Sequence, residues 1–377
     1  MPNMIKLCEG KSIGANEFKY LEQALSTFEI SNHGRFVSLF EEKLKEYLKT
    51  KKSISVLNSG TSAIHLALLL CGVKKGDEVL CQSFTFCATA NPIKYLGAHP
   101  VFIDSEDETW NMCPIYLEKA INSRLKSGKT PRAIIVTHSY GMPAKIKDLI
   151  SIAKKYGIKL IEDAAEALGS QYEGKMCGTI GDYGIISFNA NKIITSAGGG
   201  ALICNSELEK NQIDYFAKQA KEKKEFYFHT EIGYNYKLNN INAAIGLAQL
   251  ETIQERILLK RKIFEFYKSL FTNKKGIRLH NENEGIIVSN YWINTIRIDN
   301  FKLRNKIIKS FETNNIEIRP VWNPMHLQPV YSECLYYGGN QSEKLFQKGL
   351  CLPSGVSLEN KDFNKITNAI NELNYGF

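Results

Sequence analysis

A single lysine, Lys192, has neighbours that suit covalent chemistry. It follows an apolar segment that ends in Ser187 and Phe188, and it precedes three consecutive glycines, Gly198–Gly200. A lysine that forms a Schiff base must be held in a confined pocket, where its amine is partly neutralised and can attack a carbonyl. If Lys192 is such a residue, the chain is an enzyme that carries pyridoxal 5′-phosphate (PLP).

The segment Asn58–Ala63 supplies groups that can bind an anion. Gly60 permits a tight turn after a strand, while Thr61 and Ser62 offer hydroxyl and backbone N–H groups at the positive end of the next helix. Such a helix start is a natural seat for a phosphate group. The same residues also fit an N-capped helix without a ligand, and the motif alone favours neither interpretation.

Asp163 ends an apolar strand and is followed by the small residues Ala164 and Ala165. A carboxylate here can pair with a cationic ring nitrogen, which keeps a pyridine ring protonated and makes it an electron sink. A helix N-cap is the alternative, but small residues leave room for a flat ring. The nearby Phe84 and Phe86 offer a ring to stack on a cofactor, although a phenylalanine taken alone is more often a core residue.

The composition is that of a soluble globular protein. The 377 residues are 44% hydrophobic and 23% charged, and we find no signal sequence or membrane-spanning run, so we expect a cytoplasmic protein. The nine cysteines are scattered and the histidines lack metal-ligand spacing, which argues against disulfides and metal sites. The net charge of +9 comes from dispersed lysines, so we expect neither nucleic acid nor a membrane as a partner.

Short apolar strands alternate with helical segments between residues 53 and 205, which predicts an α/β fold with a mostly parallel sheet. The predicted strands are Ser53–Leu57, Glu78–Gln82, Pro100–Asp104, Ala133–Thr137, Lys159–Glu162, Gly184–Phe188 and Ala201–Cys204. Ligands of such sheets bind at the carboxyl ends of the strands, where each motif above falls.

The pattern changes after residue 240. Apolar residues at helical spacing predict one long helix, Ile241–Leu270, followed by a smaller α+β region with helices at Lys302–Asn314 and near Asn360–Leu373. We therefore expect a large cofactor-binding domain, residues 1–254, and a small C-terminal domain, residues 255–377.

Taken together, the motifs resemble those of the DegT/DnrJ/EryC1/StrS nucleotide-sugar aminotransferases, which are PLP enzymes with the aspartate-aminotransferase fold (PLP fold type I). The resemblance extends from Gly14 to Gly355 and is carried by Asn58–Ala63, Glu162–Glu166, Ser187–Lys192 with its glycines, and Gly233–Tyr236. It is greatest for the branch that makes 4-amino-4,6-dideoxy-N-acetylhexosamine nucleotides for bacillosamine and legionaminic-acid pathways. The segments that point to this branch are Glu162–Ser170, Ser289–Trp292, Arg319–His326 and Phe346–Gly355.

The resemblance implies a role for each site residue. Lys192 would bind PLP and later carry protons, Asp163 would bind the pyridine nitrogen, and Phe86 would stack on the ring. Glu166 would lie near the ring hydroxyl, and Asn235 would reach the cofactor phosphate of the neighbouring subunit in a homodimer. The phosphate would also be held by Gly60, Thr61, Ser62 and Ser187, and the sugar-nucleotide cleft would be lined by Ser31, His33, Arg35, Arg319 and His326.

Two of these residues also fit purely structural roles. His326 is compatible with a structural histidine, and Arg319 with an ion pair within the small domain. The sequence departs from the family pattern at two positions. Ala190 stands where glycine is frequent before the lysine, and Lys237 stands where arginine is usual. A lysine cannot supply the bidentate contact that an arginine makes.

The implied reaction is a transamination in two halves. PLP takes the amino group of L-glutamate and becomes pyridoxamine phosphate (PMP), which then aminates C4 of a nucleotide-linked 4-keto-6-deoxy sugar for a bacterial surface glycan. UDP-4-keto-6-deoxy-N-acetylglucosamine is the substrate that the resemblance favours. The alternatives are a dTDP- or GDP-linked keto sugar and a non-catalytic regulatory protein of the same fold. The family's dehydratase branch carries histidine in place of the Schiff-base lysine, so Lys192 argues against it.

Overall fold

The structure is a computed structural model that describes residues 4–8 and 16–373. Gly14 and Ala15, where the resemblance begins, lie outside the described residues. Of the helices in these two ranges, none has the length and apolar character needed to cross a membrane.

Fifteen strands form three sheets in the described residues. They are β1 (Ser53–Leu57), β2 (Glu78–Gln82), β3 (His99–Ile103), β4 (Ala133–Thr137), β5 (Lys159–Asp163), β6 (Gln171–Tyr172), β7 (Lys175–Met176), β8 (Tyr183–Ser187), β9 (Gly200–Cys204), β10 (Ile277–Leu279), β11 (Ile287–Val288), β12 (Thr295–Ile298), β13 (Arg319–Pro320), β14 (Tyr336–Tyr337) and β15 (Gly349–Cys351). The seven strands predicted between residues 53 and 205 are confirmed, with ends that agree to within one residue.

The α-helices of the described residues number twelve. They are α1 (Asn16–Ser26), α2 (Arg35–Tyr47), α3 (Gly60–Leu70), α4 (Cys87–Tyr95), α5 (Pro114–Lys126), α6 (Ile146–Lys155), α7 (Glu207–Ala217), α8 (Asn240–Glu251), α9 (Ile253–Phe271), α10 (Phe301–Thr313), α11 (Gln341–Lys348) and α12 (Asn360–Asn371).

The main sheet has the strand order β1-β9-β8-β5-β4-β2-β3-β14. Strand β9 runs antiparallel to both of its neighbours, and the remaining pairs are parallel. The carboxyl ends of β1, β2, β4, β5 and β8 therefore lie along one edge of the sheet. Because β9 runs the opposite way, its amino end meets the same edge.

Both faces of this sheet are covered, as its continuously apolar strands require. Successive residues of a strand point to opposite faces. Thus Val79 of β2 packs in a cluster with α3, α4 and α7, whereas Leu80 packs in another with α5 and α6. Helices α2 and α8 cover the β1 end of the second face.

The prediction of one long helix over Ile241–Leu270 is wrong, because two helices, α8 and α9, occupy this region. They are separated at Thr252, whose backbone angles (φ −107°, ψ 11°) are not helical. The Thr252 hydroxyl donates to the carbonyl of Gln249 and accepts from the Arg256 side chain. Such local side-chain bonds compete with the helical backbone pattern.

The C-terminal part forms a four-stranded antiparallel sheet, β10-β12-β15-β13, packed on α9, α10 and α12. Its chain also returns to the main sheet, because β14 pairs with β3. Trp292 and Val321 belong to the core cluster that α2 and α8 share with the main sheet. Residues from beyond position 255 thus reach the carboxyl edge, and the domain boundary at 254/255 stays a prediction.

Candidate functional site

A cavity of about 300 Å³ opens at the carboxyl edge of the main sheet. All of the cofactor-binding residues predicted from the sequence except Ser62 and Asn235 line it. They are Gly60, Thr61, Phe86, Asp163, Glu166, Ser187 and Lys192. The residues come from four separate segments, which the strand order brings together at one edge.

Lys192 follows β8 and presents its amine to this cavity. The side chain is 13% exposed, and Nζ lies 3.5 Å from Oε1 of Glu166. Nζ also lies 4.0 Å from the ring centroid of Trp292, a cation–π distance. The Trp292 indole Nε1 donates to the carbonyl oxygen of Asn191 at 2.7 Å. Trp292 therefore supports both the amine of Lys192 and the backbone that carries it.

Asp163 is the last residue of β5 and is buried. Its Oδ2 accepts from the Thr89 hydroxyl at 2.6 Å, and its Oδ1 accepts from the Ala165 N–H at 3.2 Å. Burial raises the pKa of this carboxyl, although the Thr89 hydroxyl, the Ala165 N–H and the Lys192 charge oppose the rise. A buried carboxylate in this setting gains from a cation in the cavity, and a protonated ring nitrogen is such a cation.

Glu166 is a second buried carboxyl group in the cavity. Its Oε2 accepts from the backbone N–H of Tyr140 at 2.7 Å. Burial raises the pKa of Glu166, and the charge of Lys192 opposes this. A carboxyl group with a raised pKa can donate a proton to a ring oxygen as well as accept one.

Helix α3 begins at the cavity wall. The Ser59 hydroxyl caps it by accepting from the Ser62 N–H at 3.0 Å, and the Ser62 hydroxyl donates to Asn58 Oδ1 at 2.6 Å. Both groups of Ser62 are thus engaged within the helix start. Gly60 and Thr61 line the cavity, and an α-helix offers no acceptor to the N–H groups of its first turn. Their N–H groups are the free donors of this anion seat.

A glycine is required beside this helix start. A Cβ atom on Gly200, the first residue of β9, would lie 2.5 Å from the Gly60 nitrogen. The third glycine of the sequence motif therefore lets β9 approach the anion seat.

Aromatic rings form another wall of the cavity. Phe86 is 51% exposed and lines the cavity, whereas Phe84 is fully buried in the core. The Phe86 ring lies 5.4 Å from that of Trp322, which in turn stacks on Tyr140 at 5.5 Å. Of the two phenylalanines considered in the sequence, Phe86 is thus the one that can face a cofactor ring.

The N-terminal residues predicted to contact substrate do not line this cavity. His33 and Asn235 line a separate depression on the surface. Arg35 is exposed and donates to the side chain of Gln23 at 2.8 Å, while the Ser31 carbonyl accepts from the N–H of Asn240. Asn235 still adjoins the site, because its carbonyl accepts from Nδ2 of Asn58, a cavity residue.

The two C-terminal residues predicted to contact substrate also have partners outside the cavity. Arg319 pairs with Glu317 at 2.7 Å on the surface. His326 hydrogen-bonds the Ser83 hydroxyl at 2.7 Å and stacks on Tyr336 at 3.8 Å. These contacts match the structural roles that the sequence also allowed for both residues.

Lys237, the departure from the usual arginine, is buried among carboxylates. Its amine donates to Glu41 at 2.7 Å, to Asp214 at 2.8 Å and to the Ser55 hydroxyl at 3.0 Å. The lysine ammonium group thus donates one hydrogen bond to each of two carboxylates, whereas an arginine guanidinium can donate two parallel hydrogen bonds to one carboxylate.

The cavity residues fit PLP. An amine, a buried carboxylate, free N–H donors at a helix start and an exposed aromatic face occur around one space. Thr89, Tyr140 and Trp292 were given no role from the sequence, whereas Trp322 belongs to the Arg319–His326 segment that the resemblance places at the sugar-nucleotide cleft. Thr89 had a usable signal, since it lies at the start of the helix that follows β2 and therefore near the carboxyl edge of the sheet.

Comparisons with known proteins identify the family of this chain. A family model described as the DegT/DnrJ/EryC1/StrS aminotransferase family matches residues 11–371. EpsN of Bacillus subtilis (strain 168), to which a pyridoxal phosphate-dependent aminotransferase activity is ascribed, is 44% identical, over 96% of this chain and 94% of that protein. GDP-perosamine synthase of Escherichia coli O157:H7 is 37% identical, with 96% of both chains covered.

A solved structure is similar as well. The crystal structure of a DegT DnrJ EryC1 StrS aminotransferase from Brucella abortus superimposes with a TM-score of 0.88 at 28% identity, and 95% of both chains is covered. The predicted fold class is thereby confirmed. The chain therefore belongs to the DegT/DnrJ/EryC1/StrS family of PLP-dependent sugar aminotransferases.

Proposed function

We propose that this enzyme transfers the amino group of L-glutamate to C4 of a nucleotide-linked 4-keto-6-deoxy sugar in the cytoplasm. UDP-4-keto-6-deoxy-N-acetylglucosamine is the first substrate to test, because the sequence resembles that branch. The carrying observation is the Lys192 amine in a cavity that also contains Asp163 and the start of α3. These are the groups that PLP needs for attachment, for ring protonation and for phosphate binding.

Bound PLP would supply a conjugated ring that accepts the electron pair of a broken C–H bond. The chain supplies the rest of the chemistry. Lys192 attaches the cofactor, and its released amine then carries the proton between the substrate carbon and the cofactor. The Glu166 carboxyl at 3.5 Å and the Trp292 ring at 4.0 Å hold this amine in the cavity.

Asp163 and the N–H groups of Gly60 and Thr61 would hold the cofactor. The carboxylate would keep the ring nitrogen protonated, and the helix start would bind the phosphate. Phe86 would offer its ring for stacking. The sugar nucleotide would enter the remaining space of the cavity, whose lining includes Trp322.

The proposal includes a homodimer with shared sites. Asn235 is exposed and does not line the cavity of its own chain. The preceding segment exposes large apolar side chains, among them Phe226, Tyr227 and Ile232. Contiguous apolar exposure of this kind is typical of an interface. A partner subunit would receive this segment, so that Asn235 completes the partner's phosphate site and His33 borders the shared cleft.

A GDP-linked keto sugar is the second candidate substrate. The observation in its favour is the 37% identity to GDP-perosamine synthase over nearly the whole chain. The cavity residues hold the cofactor and the reacting carbon, which both candidates share. The nucleotide would contact residues farther out, in the region of Arg35 and Arg319.

The test is a panel of UDP-, GDP- and dTDP-linked 4-keto-6-deoxy sugars incubated with ¹⁵N-labelled L-glutamate and analysed by mass spectrometry. We expect the isotope in an amino sugar nucleotide, with the UDP sugar giving the highest kcat/KM. Lys192→Arg is the matched control, since it keeps the charge but removes the reactive amine. Labelled product from Lys192→Arg at the wild-type rate, or none from the wild type with any sugar, contradicts the proposal.

Shared sites have their own test. Lys192→Ala and Asn235→Ala subunits should each be inactive or weak alone, but a mixed dimer would contain one site with both residues intact. Equal mixing after dissociation and reassociation should restore about a quarter of wild-type activity. No recovery in a confirmed mixed dimer would show that Asn235 acts within its own chain.

A further inference from the structure

Three buried threonines next to Asp163 form a continuous chain of hydrogen bonds. The hydroxyl of Thr137 lies 3.0 Å from that of Thr85, which lies 2.7 Å from that of Thr89, which donates to Asp163 Oδ2 at 2.6 Å. All three threonines line the cavity, and none is more than 3% exposed. We call Thr137, Thr85 and Thr89 the threonine relay.

The fold brings the relay together from separate segments. Thr137 ends β4, Thr85 follows β2, and Thr89 lies in the first turn of α4. Strands β5, β4 and β2 are consecutive in the sheet. The relay thus spans the carboxyl ends of neighbouring strands and ends on the carboxylate of β5.

The number of protons determines the direction of these bonds. Each hydroxyl has one proton to donate and can accept from others. When Asp163 is ionised, Thr89 gives its proton to the carboxylate and must accept from Thr85. Thr85 has then used its proton and must accept from Thr137. Every bond of the chain is satisfied, and every O–H dipole points towards Asp163.

The opposite direction is less favourable. If Asp163 were protonated on Oδ2 and donated to Thr89, each hydroxyl would turn around and Thr137 would need an acceptor. In residues 4–8 and 16–373, the Thr137 hydroxyl has no other hydrogen-bond partner than Thr85. The reversed chain also lacks a charged acceptor, and hydrogen bonds to an ionised group are roughly twice as strong as neutral ones. The relay therefore favours the ionised carboxylate, against the effect of its burial.

We propose that the threonine relay is a positioning device that keeps Asp163 ionised and aligned, so that the ring nitrogen of bound PLP stays protonated. This inference rests on the proposed function. Thr89, Thr85 and Thr137 are positioning residues, because they act through Asp163. Since hydrogen bonds in a chain polarise one another, loss of the bond nearest the carboxylate has the largest effect.

The test uses PLP labelled with ¹⁵N in the ring, bound to the full-length protein and observed by solid-state NMR. In the wild type we expect the signal of a protonated ring nitrogen. Thr89→Val keeps the branched shape but removes the hydroxyl, so the carboxylate becomes more basic and competes for the ring proton. One lost bond to a charged group changes this proton equilibrium by about tenfold or more, and the signal moves towards that of neutral pyridine.

Related variants separate the relay from general damage. Thr89→Ser, which restores the hydroxyl, should return the signal to the wild-type position. Thr85→Val and Thr137→Val keep the contact between Thr89 and Asp163 and should give progressively smaller shifts. Thr367→Val removes a hydroxyl that bonds a carbonyl within α12 and should leave the signal unchanged.

The outcomes distinguish this inference from the proposed function. A wild-type protein that does not bind PLP overturns both. A wild type that binds PLP, with unchanged signals in Thr89→Val, Thr85→Val and Thr137→Val, overturns the relay alone. If Thr89→Val does not bind the cofactor, the other two variants test the relay. A larger NMR shift in Thr85→Val than in Thr137→Val supports the relay, and equal or absent shifts contradict it.

Discussion

Replacement of Lys237 by methionine should destabilise the protein substantially. Lys237 and Lys210 lie between the carboxylates of Glu41 and Asp214, so that two cations face two anions. The Lys237 side chain is only 2% exposed, and its distances to the two carboxylates are 2.7 and 2.8 Å. Methionine fills a similar volume without the charge, which leaves two carboxylates and one partly exposed lysine.

The magnitude follows from the burial of this cluster. Removing one partner of a buried ion pair costs about 3–5 kcal/mol, because the other charge is left without compensation. Lys210 remains within 3.2 Å of both carboxylates, so we expect a loss near the lower limit, about 3 kcal/mol. The pKa of Asp214 supports this size. Burial alone would raise it, but Lys237 is the largest of the opposing influences that lower it to about 2.

The assay is chemical denaturation at fixed protein and PLP concentration. Lys43→Met is the control, because its pair with Glu46 is exposed and is expected to contribute at most about 1 kcal/mol. Lys237→Arg should keep most of the stability, since a guanidinium can contact both carboxylates. A loss below about 1 kcal/mol in Lys237→Met, or an equal loss in Lys43→Met, would refute the reasoning.

The pH dependence supplies a second check on the same variant. A carboxyl whose folded-state pKa is lowered contributes stability above its unfolded-state pKa, and this contribution is lost as the pH falls towards the folded-state value. The stability gap between the wild type and Lys237→Met should therefore be full at neutral pH. It should narrow as the pH falls from about 4 towards 2.

Three further predictions concern the site. Trp292→Phe loses the bond to the Asn191 carbonyl, so we expect bound PLP with kcat lowered by up to about tenfold in steady-state assays. Burial raises the pKa of Glu166 above 4.5, so this carboxyl contributes stability at low pH that is lost as the pH rises. The ligand-free Glu166→Gln variant should therefore have a higher melting temperature than the wild type at pH 8, but not near pH 4. His326→Ala loses the Ser83 bond, so denaturation should show a loss of about 1–3 kcal/mol with little change in KM, whereas a large rise in KM at unchanged stability would indicate substrate contact.

Much of the fold follows from the sequence because its signals are local and repeated. Apolar strands separated by helical spacing identified the sheet, and parallel topology then placed Asp163, Gly60 and Ser187 at one edge. The break at Thr252 was missed because it interrupts an otherwise continuous apolar stripe. The spacing of the apolar residues is the same for one long helix as for two consecutive helices whose apolar faces are buried on the same side.

The sequence pointed to Lys192 because one residue type would perform the chemistry, and Lys192 does line the cavity. Site residues were harder to predict from the sequence where the role of a residue depends on its hydrogen-bond partner. Ser62 has the side chain of a phosphate ligand, yet Ser59 and Asn58 engage its groups. Trp292 contacts Lys192 from a hundred residues away in the chain, and only the folded structure shows that contact.

Borohydride reduction of the PLP-loaded protein, followed by peptide mass spectrometry, tests the central claim most directly. Reduction makes the link between cofactor and lysine permanent and marks the residue that forms it. Lys52 and Lys260 are the internal controls for this labelling. Burial lowers the pKa of both amines, which would make them reactive towards PLP, but neither residue lines the cavity. We predict the phosphopyridoxyl label on Lys192 alone. A label on another lysine, or none, would contradict the assignment of this cavity as the site of transamination.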